Sequence, residues 1–162
     1  MVASKELIET IADALITYKA KNIVLDPVMV STSGSRLIKE DAAEVLKERL
    51  MVLADVITPN IPETEVLTGM TVDSADSMEK AAIKIYENLK SKGGHADVLV
   101  KGGHAVHTAN DCLCVDGRIV WLNGERVDNP NTHGTGCTLS SAIAANLAQG
   151  LSIEESVKAA KE

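Results

Sequence analysis

Three short apolar runs set the limits on what this chain can become: NIVLD at residues 22–26, DVIT at 55–58 and DVLVK at 97–101. Each is stopped at once, by Pro27, by Pro59 or by the pair Gly102-Gly103. Between them lie stretches of helical period. Residues 4–21 carry Leu7, Ile8, Ile11, Leu15 and Ile16 on one stripe, residues 39–53 repeat the spacing with Ala43, Val45, Leu46 and Leu50, and residues 77–89 form another amphipathic helix. Runs this short and this apolar suit strands buried on both faces. Their alternation with helices predicts an α/β fold, a mostly parallel sheet covered by helices.

The rest of the chain adds detail. Pro62 suits the first turn of a short helix ending near Gly69. Asp116-Gly117, between residues 111–115 and 118–122, is a two-residue hairpin signal and predicts one antiparallel insertion. A loop rich in Asn, Pro and Gly leads into a helix over residues 135–149, closed by Gly150. Ser152 and Glu155 have the spacing of a capping box that opens a last helix. No repeat or linker divides residues 1–162, which are expected to form a single domain.

Composition narrows the function. With no Phe, one Trp and two Tyr, the core has to be aliphatic. The net charge of −7, with acids and bases interspersed, argues against nucleic acid or an anionic membrane surface as partner. A phosphate would have to be held by local devices, helix N-termini and single lysines. No segment has the roughly 20 apolar residues of a membrane span, and the acids near Met1 do not fit a signal peptide. Three cysteines, Cys112, Cys114 and Cys137, point to free thiols in a reducing cytoplasm. Cys112 and Cys114 share one face of a strand and have no further zinc ligands nearby, so they are expected to be buried.

In folds of this type ligands collect at the carboxyl ends of the strands. Here those ends carry Asp26, then Asn60 and Glu63, then Lys101 with Gly102 and Gly103, and finally the loop NTHGTGC. Gly134-Thr135-Gly136-Cys137 opens a helix; first-turn N–H groups have no acceptor within a helix and suit a developing phosphoryl charge, although a tight strand-to-helix turn needs the same letters. Cys137 is compatible with taking a proton from a substrate hydroxyl, with a substrate contact, or with simple burial. Lys101 either snorkels to solvent or neutralises nucleotide phosphates. Glu63 is either a first-turn helix acid or, with Asn60, a holder of hydrated Mg2+; Asp26 is either a cap or turn residue before Pro27 or a magnesium- or phosphate-side carboxylate. His104 and His133 read as loop hydrogen-bonders.

Together and in this order, VLDPVM (24–29), ITPNIPETEVLTG (57–69), VLVKGGH (98–104) and NTHGTGCTLSSAIAANLAQG (131–150) resemble the bacterial hydroxymethylpyrimidine kinase / phosphomethylpyrimidine kinase family of thiamin synthesis. The resemblance runs from residue 1 to residue 162 and implies a ribokinase-like three-layer fold. It also implies phosphoryl transfer from ATP, with Mg2+, to 4-amino-5-hydroxymethyl-2-methylpyrimidine and then to its monophosphate. By the same resemblance Gly134, Thr135 and Gly136 form the anion hole and Cys137 stands where related sugar kinases have a catalytic Asp. Asn60 and Glu63 resemble the nucleotide and magnesium residues, Lys101 the lysine beside the ATP phosphates, and Val28 and Met1 positions lining the pyrimidine pocket; Gly102 and Thr132 are further nucleotide-binding candidates and Asp26 a further magnesium candidate.

Two departures accompany the resemblance. Pro130 stands where the family often has a lysine. The family's first strand, its Gly/Ser-rich loop and a pyrimidine-binding glutamine have no counterpart, nor does part of the last helices, so the chain reads as a fragment. A homo-oligomer or a complementing N-terminal segment is therefore expected, along with marginal stability alone. Two alternatives stay open: a pyridoxal-type kinase on the same scaffold, and a non-catalytic nucleotide-binding remnant.

Overall fold

Polar residues at the edges of the apolar runs decide where the strands begin and end. In the computed structural model, which describes residues 2–30, 37–102, 110–124 and 134–162, β1 is Val24–Leu25 and β2 is Val56–Ile57. Both are shorter than the runs that announce them. The Asp55 carboxylate takes the Ile23 N–H at 2.7 Å, where a longer strand would place a ladder bond, and Pro27 and Pro59 carry no N–H to continue the ladder. β3 (Asp97–Val100), β4 (Asp111–Val115) and β5 (Arg118–Leu122) follow the expected limits closely, Lys101 joining β3 only through an isolated bridge.

The strands form a five-stranded sheet in the order β1-β2-β3-β4-β5. β1 pairs with β2, and β2 with β3, in parallel; β4 runs antiparallel to both neighbours. All strands but β4 therefore point the same way, as the hairpin signal implies. Alternation sorts their side chains into two cores. Ile57, Val98, Val100, Cys112 and Cys114 face one way; Val56, Leu99, Leu113 and Val115 face the other.

Helices cover both faces, giving the three layers. α3 (Ile61–Thr68) and α4 (Ala75–Ser91) lie on the first face, α4 contributing Met78, Ala81, Ala82, Ile85 and Leu89. α5 (Thr135–Ala148) and α6 (Ile153–Ala160) cover the second, with Ile143 and Val157 fully buried. A third cluster lies beyond β1, where Ile8 and Ala12 of α1 (Lys5–Thr17) meet Met29, Ile38 and α2 (Glu40–Val45).

The expected single helix over 39–53 is broken. α2 passes into a π turn, Leu46–Leu50, and then a 3-10 turn, Met51–Leu53. The reason is packing: Leu50 belongs to the cluster with α1, while Met51 belongs to the core under α4. A regular helix puts adjacent residues about 100° apart, so across this stretch Leu50 and Met51 serve different cores. Elsewhere the caps match the sequence. Ser4 accepts from Leu7 N–H, and Ser152 and Glu155 form the reciprocal box that starts α6.

Candidate active site

Because β1, β2 and β3 are parallel neighbours, the residues that follow them form one row. Asp26 follows β1, Thr58 to Asn60 follow β2, and Lys101 follows β3. A parallel bridge between Asn60 and Lys101, with Lys101 N–H donating to the Pro59 carbonyl at 2.8 Å, extends the ladder past the strands into this row.

The row is closed by charge. Lys101 Nζ donates to Asp26 Oδ1 at 2.8 Å, with side chains only 17 % and 14 % exposed. The buried Thr58 hydroxyl donates to the same oxygen at 3.3 Å. So Asp26 Oδ1 is held twice, while Oδ2 points toward the start of α5. A lysine in this position neither snorkels to solvent nor stands alone, and a charge-assisted bond fixes it.

Gly136 sits on that pair. A Cβ at position 136 would lie 3.1 Å from Lys101 Nζ and 3.2 Å from Asp26 Oδ2, so any larger residue would crowd the pair and glycine lets the first turn of α5 rest on it unhindered. The turn is entered through Gly134 in the left-handed region, φ 85°. The α5 N-terminus thus points its backbone N–H groups into the same corner as the Lys101 ammonium. Cys137, in that first turn, is exposed, which removes the burial reading for it. The other two thiols are buried as expected, and burial pushes Cys112 up to about 12 and Cys114 up to about 11, which keeps them protonated.

Glu63 is only 2 % exposed, deeper than its letters suggest. Its Oε2 accepts from Asn60 N–H at 2.9 Å while Asn60 Oδ1 accepts from Glu63 N–H at 2.8 Å, the capping box of α3. Its Oε1 accepts from Met29 N–H at 3.4 Å, reaching across to the segment after β1. Desolvation raises its pKa above the usual carboxylate value; the Asn60 N–H and Lys101 oppose that rise, and Asp26 adds to it. Asp26, Glu63 and Lys101 therefore sense one another and carry two acids against one base. Val28 is half-buried two residues after Asp26, whose carbonyl takes the Val28 N–H at 2.9 Å.

The strand-end residues Asp26, Asn60, Glu63 and Lys101 are thus brought together with Gly136 above them; Gly102, Gly134, Thr135 and Cys137 lie at the margins of the same corner. Met1, Gly103, His104, Pro130, Thr132, His133 and the serine-rich loop 31–35 lie outside the described residues. Sequence reasoning passed over Thr58. The signal was there: a hydroxyl at the end of a run otherwise covered on both faces must find a buried acceptor.

Comparison with known proteins gives the family. The family described as Phosphomethylpyrimidine kinase matches residues 1–162. The chain is 40% identical to a hydroxymethylpyrimidine/phosphomethylpyrimidine kinase of Haemophilus influenzae, over 100% of this chain and 60% of that protein. Among solved structures, phosphomethylpyrimidine kinase from Clostridium difficile 630 superposes with a TM-score of 0.82 at 40% identity, covering 99% of this chain and 63% of that one. Pyridoxal kinase from Staphylococcus aureus in complex with AMP-PCP and pyridoxal superposes with a TM-score of 0.86 at 30% identity, covering 99% and 56%. The chain therefore spans about three fifths of the length of the curated relatives it matches. The fold is the ribokinase-like kinase scaffold, and by its match over every residue the chain belongs to the phosphomethylpyrimidine kinase family.

Proposed function

We propose that this chain carries the phosphoryl-transfer side of an ATP-dependent kinase that phosphorylates 4-amino-5-hydroxymethyl-2-methylpyrimidine and its monophosphate in thiamin biosynthesis. The observation that carries the proposal is the seating of the α5 N-terminus on the Lys101–Asp26 pair. Positive potential from a helix start and from a fixed ammonium converges there, which is what a transferring phosphoryl group requires.

The residues fit a magnesium ion. Mg2+ is usually held by one or two carboxylates plus substrate phosphates and keeps several waters. Asp26 Oδ2, clear of the bonds that occupy Oδ1, suits direct coordination. Glu63 has both oxygens on backbone N–H groups and suits contact through metal-bound water. Among the described residues no group of three His, Cys, Asp or Glu side chains forms an all-protein cage, in keeping with that habit. When bound, the ion and ATP supply the phosphoryl group and neutralise its charge.

The chain's own residues then have separate tasks. Lys101 and the backbone of Gly134, Thr135 and Gly136 hold phosphate oxygens. Asn60, whose Oδ1 is committed to the cap of α3, offers its amide N–H to the nucleotide, and Gly102 lets that nucleotide approach the end of β3. Cys137, exposed beside the anion hole, would in its thiolate form take the proton of the substrate hydroxyl while that oxygen bonds the γ-phosphorus of ATP and the bond from that phosphorus to the departing ADP breaks. Val28 supplies an apolar contact for the pyrimidine. Met1 and Thr132 are assigned the pyrimidine pocket and the nucleotide by resemblance alone.

Calorimetry with MgATP and a coupled kinase assay test this reading. Turnover of the hydroxymethylpyrimidine is the expected result. The likeness to the pyridoxal kinase of Staphylococcus aureus gives a second reading, selected if pyridoxal is phosphorylated and the pyrimidine is not. Binding without turnover of either selects a nucleotide-binding module. For Cys137, an unchanged rate in Cys137→Ser would remove the proton-accepting role.

A further inference from the structure

We propose that Lys161 and Asp111, which lie on the far side of Gly102 from Asp26, form a positioning pair that orients the Lys101–Gly102 peptide and so aims the Lys101 ammonium at nucleotide phosphates. The proposal rests on the nucleotide-site reading above. Its geometry does not.

Lys101 enters the site with its backbone already fixed on one side, by the bond from its N–H to Pro59. The next peptide unit is fixed on the other side. Gly102 N–H donates to Asp111 Oδ1 at 2.7 Å, and Asp111 Oδ2 accepts from Lys161 Nζ at 2.7 Å. Lys161 caps the end of α6 and also donates to the Leu122 carbonyl at the end of β5, at 3.3 Å. Side-chain exposure is 16 % for Lys161 and 12 % for Asp111, so the pair is as dry as Lys101–Asp26.

The packing leaves the peptide no other place. β3 and β4 are registered so that Val100 faces Cys112, which sets Gly102 opposite Asn110. A Cβ on Gly102 would collide with the Asn110 carbonyl. The neighbouring side chain does similar work on the next strand: Asn110 Oδ1 accepts from Gly124 N–H at 3.1 Å. The first residues of β4 therefore hold the roots of both segments that leave the sheet on this side, after β3 and after β5.

The chemistry explains why a charged pair is used. An ionised carboxylate binds an amide N–H more strongly than a neutral acceptor does, but only while its own charge is compensated. Lys161 supplies that compensation. Without it, a buried unpaired carboxylate seeks water and releases Gly102, and the Lys101 Cα turns with the peptide. Lys161 acts here through Asp111 and the backbone, so it is a positioning residue.

The test compares the wild-type 162-residue chain with Lys161→Met, Lys161→Arg and Asp111→Asn. MgATP and adenosine affinities are measured by calorimetry, and hydrogen exchange at the Gly102 amide by NMR. Loss of a charged hydrogen bond predicts a roughly tenfold weaker MgATP affinity for Lys161→Met. Adenosine affinity should stay unchanged, and Gly102 should exchange faster. Lys161→Arg should recover most of the MgATP affinity. Asp111→Asn, which keeps an acceptor for Gly102 but loses the ionic partner, should fall between and serves if the Met variant does not fold. Wild-type MgATP affinity in both Lys161→Met and Asp111→Asn overturns the proposal, as does an equal loss for adenosine. If the wild-type chain binds no MgATP, the nucleotide reading fails by itself. Gly102 exchange still judges the clamp: a wild-type rate in Lys161→Met overturns it, and a faster rate upholds it.

Discussion

The two halves of the sheet are built differently. β3 and β4 are buried at every residue, with helices on both faces. β1, at the edge, is half-buried at both of its residues, and around its cluster Leu7, Ile16, Leu37 and Val66 are exposed, with Tyr18 at 83 %. The corner proposed for catalysis lies across this divide. Asp26 comes from the lightly covered side, Lys101 and Glu63 from the well-covered side, and the two are joined by the Lys101–Asp26 pair and by the reach of Glu63 to Met29. The contrast teaches that positioning here is asymmetric. A rigid half carries the lysine and the helix cap, and it holds the other half's aspartate in place through a few polar contacts.

The largest effects should come from the covered half. Leu113→Ala, at a fully buried position facing Leu99 and Ile143, should cost about 2–5 kcal/mol in urea unfolding. Val24→Ala, half-buried in β1, should cost far less. Equal losses would break the contrast. Next in size is Gly136→Ala, where the added methyl makes Lys101 Nζ and Asp26 Oδ2 give by a few tenths of an ångström and should weaken MgATP binding by about tenfold. We expect it to appear mainly as lost MgATP affinity, with the melting curve little changed. A variant that melts early but binds normally would place the strain elsewhere.

Glu63→Gln should be of similar size or smaller, about 1–3 kcal/mol, because an amide NH2 must then face one of two backbone N–H donors. Faster exchange at Met29 N–H, with β3 amides still protected, would sharpen the picture of Glu63 as the tie between the halves. Titration gives a related, smaller effect. Burial raises the folded pKa of Glu63, so its protonated form is favoured by folding. Its destabilising contribution is absent below its usual 4.5, grows as pH rises through the folded value and is constant above it. Carboxyl NMR should show a midpoint above 4.5, and that midpoint should fall when Mg2+ is added with ATP. An unshifted midpoint would remove burial as the dominant influence on this group. The smallest effect belongs to the exposed margin: Ile16→Gln should change stability by no more than about 0.5 kcal/mol. A larger loss would mean that this face of α1 is covered in solution.

Much of this was open to reading in one dimension. Apolar runs cut off by Pro or Gly mark strands because a covered strand has no room for polar letters, and Asp116-Gly117 marks its hairpin because the turn needs its backbone. Ser152 and Glu155 announce α6 through bonds between near neighbours. Asp26, Asn60, Glu63 and Lys101 stand out because each is a polar residue at the end of a buried strand or just beyond it. All of these signals are local, or they follow from one element's need to hide its apolar face.

What the tertiary structure alone decided involves residues far apart in the chain. That Asp26 pairs with Lys101, that Gly136 closes over both, that Glu63 reaches Met29 and that Lys161 holds Asp111 all depend on strand order and on where α5 and α6 land. The same holds for the break after α2, where Leu50 and Met51 enter different cores. Local letters fix local bonds and periods. A partner many tens of residues away is chosen by packing and by the cost of leaving a buried charge alone, and neither is written in the spacing of the residues themselves.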